Sequence, residues 1–161
     1  MKLAVLKERR AGEARVAATA ETVRKLTGLG LAVAVETGAG EQACVADCDY
    51  LAAGATLAPD AAAALHDADI VLKVRMPEPA EIAAMKSGAV LIGLLAPYTE
   101  KEAVAALAAR GVNAFAMEFL PRISRAQTMD VLSSQANLAG YKAVIDAAAQ
   151  FGRAMPMMMT A

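Results

Sequence analysis

Short, nearly continuous apolar runs alternate along this chain with stretches of helical period. Residues 3–6, 31–36, 70–74, 89–95 and 112–117 read as strands, because their Val, Ile, Leu and Ala are contiguous instead of alternating with polar residues. Between them, residues 20–26, 48–53, 61–66, 78–85 (behind Pro77) and 100–109 read as helices. A last, long helix is expected from Met129 to about Phe151, with Thr128 able to cap it. Buried strands alternating with amphipathic helices predict an α/β fold: a doubly wound, mostly parallel sheet with helices on both faces, flavodoxin- or Rossmann-like, ending in a long helix.

The polar pattern changes abruptly at PRISRAQTMDVLSSQANLAGY, residues 121–141. Arginines, a glutamine, an aspartate, serines and an asparagine crowd a segment that follows a strand and enters a helix. In an open α/β sheet that is where ligands bind. Asp130, Ser133, Ser134 and Asn137 fall at i, i+3, i+4 and i+7, so one helix face carries them. Leu132, Ala136, Ala139 and Ala143 form a small apolar face suited to close packing on a sheet. Arg122, Arg125 and Gln127 lie just upstream. Guanidinium and amide donors, a carboxylate and hydroxyls around a helix start suit a planar amide-bearing ligand or a phosphate better than a metal. A plainer reading also fits: Asp130 and Ser133 cap the helix and the arginines are solvated.

Composition narrows the field. The chain has 161 residues, of which 57% are hydrophobic and only 4% aromatic, so Ala, Val, Leu and Ile build one core. A net charge of −1 gives no electrostatic footprint for nucleic acid. The longest apolar run, residues 88–97, is far short of the roughly twenty needed to span a bilayer. MKLAVLKERR has no small-residue cleavage site and does not read as a secretion signal. A cytoplasmic protein is therefore expected. Cys44 and Cys48 are outside CxxC spacing and the chain has one histidine, His66, so both thiols are expected to be reduced, His66 to be an exposed helix-end residue, and no metal to be held. Gly38-Ala39-Gly40 is the one candidate phosphate loop, and without a third small residue at the right offset it reads as a tight structural turn.

PRISRAQTMDVLSSQANLAGYKAV resembles the signature loop and following helix of the NAD(H)-binding alpha subunit of proton-translocating NAD(P) transhydrogenase. LKERRAGEARVAATAETVRKLTGLG resembles that family's opening pattern, and ETGAG (36–40), AAGA (52–55), DIVLKV (69–74) and AME (116–118) fall in family order. The resemblance covers the whole chain, 1–161, as an alanine dehydrogenase/transhydrogenase N-terminal domain. It implies that Arg122, Gln127 and Asp130 hold the nicotinamide of NAD(H), with Ser133 beside them on the carboxamide. It also implies NADP(H) on a partner domain or subunit, transmembrane subunits that move protons, a homodimer, and a place peripheral to the inner membrane on its cytoplasmic side. In the family the dinucleotide fingerprint lies in a separate domain downstream of the final MMMTA. On that reading the chain is a fragment that binds NAD weakly or not at all by itself, and the Met157–Met159 run packs between domains.

The related alanine dehydrogenases offer a second reading. There the residues matching Arg15 and Lys73 grip a substrate carboxylate, and a histidine after the fourth strand moves the proton. Here that stretch reads Leu94-Leu95-Ala96-Pro97, which leaves reductive amination without a proton route. Arg15 and Lys73 are accordingly expected to pair with carboxylates such as Glu8 or Glu13. A third reading is a non-enzymatic interaction domain.

Overall fold

A computed structural model describes residues 1–153. They form two compact units, Met1–Phe119 and the segment from Leu120 onward. The first unit holds a six-stranded, wholly parallel sheet with β1 (Lys2–Val5), β2 (Ala32–Glu36), β3 (Thr56–Ala58), β4 (Ile70–Leu72), β5 (Val90–Gly93) and β6 (Asn113–Ala116). Their order across the sheet is β3-β2-β1-β4-β5-β6, so the direction of winding reverses between β1 and β4. In-register pairs such as Val5↔Val35 and Val5↔Leu72 place β1 at the centre.

Both faces of the sheet are buried around the central strands β1 and β2, which is why their runs are nearly continuously apolar, whereas β6 at the edge leaves Phe115 58% exposed. Leu3, Val5, Val33 and Val35 pack with Val23 of α1 (Ala20–Gly28) and Tyr50 of α2 (Asp47–Ala52). Ala4, Leu6, Val71 and Leu91 pack on the other face with Leu65 of α3 (Ala61–Leu65), Ile82 of α4 (Pro79–Ala84) and Leu107 of α5 (Lys101–Arg110). Successive residues of β1 therefore serve opposite cores, as the period of two requires. The doubly wound parallel architecture expected from the hydrophobic pattern is the one observed.

Three expectations need correction. β3 was not expected: at three residues it is too short to display a period, and its place is set by pairing with β2. The long helix, α6, runs Val131–Gln150 and is capped by Asp130, not Thr128, which lies in a 3-10 segment spanning Ser124–Met129. Asp130 accepts the Ser133 N–H at 3.0 Å, the bond that defines a good N-cap. Finally, Leu132, Ala136, Ala139 and Ala143 are all exposed, and α6 buries no side chain at all. Spacing shows which residues share a face but not whether anything covers it. The Met157–Met159 run lies outside the described residues.

Candidate functional site

The segment after β6 leaves Pro121 and enters the 3-10 turns over Ser124–Met129, pinned by Ala126, which is 4% exposed and donates its N–H to the Ile123 carbonyl. This geometry gathers Arg122, Ile123, Ser124, Gln127, Asp130, Ser133 and Ser134 around one hollow of about 440 Å³. Arg122, Gln127, Asp130 and Ser133, singled out in the sequence, thus share a cavity. Arg125 and Asn137 do not line it. Ile123 and Ser124 were not singled out, and nothing but their place in the same loop could have marked them.

Asp130 is held from two sides. Its carboxylate accepts the Ser133 N–H at 3.0 Å and the Ser133 hydroxyl at 2.6 Å. Its backbone carbonyl accepts the Ser134 N–H at 3.2 Å and the Ser134 hydroxyl at 3.0 Å. The Ser133 hydroxyl and then the Ser133 N–H hold the Asp130 carboxyl below the usual carboxylate range, with the Arg122 charge adding a smaller push. Capping and lining a pocket are therefore one arrangement: the bonds that start the helix also fix the carboxylate at the cavity. Asp130 is a fixed anionic acceptor and Arg122 a cationic donor.

A second polar assembly sits at the carboxyl ends of β1, β2 and β4, where the sheet's winding reverses. Lys73, 3% exposed, reaches the Lys7 carbonyl at 3.0 Å, Glu81 at 3.3 Å and Glu8 at 3.7 Å. Arg9 joins Glu81 at 2.6 Å to Glu36. Arg15 pairs with Glu13 at 2.6 Å, and Arg75 reaches the same carboxylate at 3.1 Å. Burial pushes the Glu8 carboxyl up against the pull of Lys73 and of two backbone N–H donors, while Arg15 holds Glu13 at about 2. The carboxylate pairing expected for Arg15 and Lys73 is what the structure shows. Glu8, Arg9 and Lys73 border a hollow of about 420 Å³ whose cations already face carboxylates of the chain itself.

The ETGAG turn is structural, as expected. The Gly38 N–H donates to the Asp47 carboxylate at 2.9 Å, so a side chain of the protein occupies the place where an anion would sit. A Cβ at Gly40 would come within 2.6 Å of the Val45 carbonyl and 2.8 Å of the Tyr50 ring. His66 is at a helix end and its side chain is 79% exposed, and both cysteines are free and exposed. No helix among the described residues is long and apolar enough to cross a membrane.

Comparison with known proteins gives the chain a family. An NAD(P) transhydrogenase alpha-subunit polypeptide of Rhodospirillum rubrum is 56% identical over 166 residues, covering 100% of this chain and 43% of its own length. The polypeptide of the same name from Rickettsia prowazekii is 43% identical over the whole chain. The solved transhydrogenase of Sinorhizobium meliloti is 52% identical, with a TM-score of 0.91 over 100% of this chain and 48% of its own. A solved L-alanine dehydrogenase is more distant, 36% identical with a TM-score of 0.70 over 73% of this chain. The chain thus spans less than half the length of the curated relatives it matches. The family description "Alanine dehydrogenase/PNT, N-terminal domain" matches residues 4–139, both the sheet and the cavity-forming segment, and the chain belongs to that family.

Proposed function

We propose that this chain is the nicotinamide-facing portion of the NAD(H)-binding component of a proton-translocating NAD(P) transhydrogenase. Arg122, Gln127, Asp130 and Ser133 would hold the ring of NAD(H) in the hollow they share. The observation that carries the reading is that these four residues line one cavity, in a chain whose whole length is similar to transhydrogenase alpha subunits. Asp130 and Arg122 match a carboxamide, which needs both an acceptor and a donor.

When bound, the nicotinamide supplies the hydride chemistry itself. The side chains of this chain are left with binding, orientation and exclusion of water, and no acid or base is required of them. Positioning of that kind is worth up to roughly 7–11 kcal/mol in favourable cases. NADP(H) belongs on a partner domain or subunit, and proton movement on transmembrane subunits. The assembly we infer is a homodimer at the cytoplasmic face of the inner membrane. The nucleotide-binding domain that grips the rest of NAD(H) lies in further polypeptide. The alanine dehydrogenase reading is disfavoured because Leu94–Pro97 offers no proton donor and Lys73 is already paired with Glu8 and Glu81.

The test is hydride transfer from NADH to an NADP analogue, in a polypeptide that continues through a nucleotide-binding domain and is mixed with an NADP(H)-binding partner. Asp130→Asn and Arg122→Ala are expected to slow transfer at least tenfold while leaving the circular dichroism spectrum unchanged. Transfer at the parental rate in either variant would refute the assignment.

A further inference from the structure

The same hollow carries information about which pyridine derivatives it accepts. Among the described residues that line it, Arg122 and Asp130 are the charged ones. Asp130, held below the ordinary carboxylate range, is acceptor-only. The Ser133 hydroxyl must then be the donor in its 2.6 Å bond to that carboxylate, which leaves its oxygen lone pairs, and not its proton, for a ligand. The Ser134 hydroxyl is likewise committed as a donor to the Asp130 carbonyl. Asp130 and Ser133 together therefore present acceptors, while Arg122 presents donors alone. Gln127 and Ser124 can serve in either sense and do not discriminate.

We propose that this cavity selects the carboxamide form of a pyridine nucleotide against its carboxylic acid form, an inference that rests on the nicotinamide-holding reading above. A primary carboxamide offers its oxygen to Arg122 and its N–H groups to Asp130 and Ser133, so both kinds of wall are satisfied. An ionised acid can satisfy Arg122 but brings its second oxygen against the Asp130 carboxylate. There an unpaired acceptor faces a like charge, the mismatch that sites built on hydrogen bonding reject most strongly. Asp130→Asn replaces the acceptor-only group by one that also donates. It should remove the repulsion while keeping the helix cap, since Asn caps as well as Asp.

The experiment is an amide-detected nuclear magnetic resonance titration of a polypeptide that continues from this chain through a nucleotide-binding domain, with nicotinamide mononucleotide and, separately, nicotinic acid mononucleotide. The amide form is expected to shift the resonances of Gln127, Asp130 and Ser133, with the acid form at least about tenfold weaker. In Asp130→Asn the two ligands should come within about threefold of each other. Equal binding of both ligands to the parent chain would overturn the selectivity and leave the ring-holding role standing. Asp130→Asn keeping the full preference would overturn Asp130 as its source. Shifts from neither ligand, or shifts confined to other residues, would overturn the selectivity and the ring-holding role together.

Discussion

Glu118 holds Ala96 in a left-handed turn. The Glu118 carboxylate accepts the N–H groups of Ala96 and Leu95, and Ala96 has φ of +45°, a region that costs an L side chain about 1–2 kcal/mol. The Ala96 carbonyl in turn receives the N–H groups of Thr99 and Glu100, so the whole turn from β5 to α5 hangs on this conformation. Tyr98 and Phe119 add an edge-to-face contact at 5.4 Å between the same two segments.

Removing the clamp should expose the strain it holds. Glu118→Gln keeps one oxygen for one of the two N–H groups but turns the other into a donor facing the second, at a cost of about 1–3 kcal/mol. Ala96→Gly removes the Cβ penalty, so the double variant should regain part of the loss, with a coupling of at least about 0.5 kcal/mol. Urea denaturation midpoints measure both. Strict additivity would mean that Glu118 does not act through Ala96.

Lys73 is the second place where one side chain carries others. Its ammonium lies between Glu8 and Glu81, whose side chains are each 3% exposed. Lys73→Met leaves those carboxylates facing less positive charge in a dry site, and losing one partner of a buried pair costs about 3–5 kcal/mol. Because burial already pushes the Glu8 carboxyl up, the deficit should shrink as pH falls and Glu8 takes a proton. A denaturation midpoint equal to the parent's at neutral pH would show that the pair contributes nothing.

How much of this was legible beforehand varies with the range of the cause. Runs such as Lys2–Val5 and Ala32–Glu36 declare buried parallel strands because both of their faces are buried. β3 is silent at three residues. Thr128 and Asp130 are both competent caps, and local spacing alone could not choose between them. Arg122, Gln127, Asp130 and Ser133 were legible because a single loop and the first turn of α6 carry them all. By contrast, Glu8, Lys73 and Glu81 come from three separate segments, brought together by the parallel winding. The sequence signal was a lysine inside an apolar strand, which demands a partner without naming it.

Acid stability should separate Glu13 from Glu8, because their shifts have opposite signs. Arg15, aided by Arg75, holds Glu13 at about 2 against an ordinary 4.5. Its contribution is therefore present above pH 4.5 and is lost as pH falls toward 2. Arg15 and Arg75 are both more than a third exposed, so solvent screens the pair and the loss is smaller than the shift implies. Glu8, with its carboxyl raised, works the other way: its protonated form is favoured in the fold, so its contribution is full at low pH and fades as pH rises through the folded value. Between neutral pH and the ordinary carboxylate range, Glu8 therefore offsets losses elsewhere, and below that range Glu13 adds to them. In Glu13→Gln the midpoint should be lower at pH 7 and should change less between pH 4.5 and 2 than in the parent, as measured by urea titrations at stepped pH. A parallel decline in both proteins would show that the Glu13 pair with Arg15 is not what acid breaks.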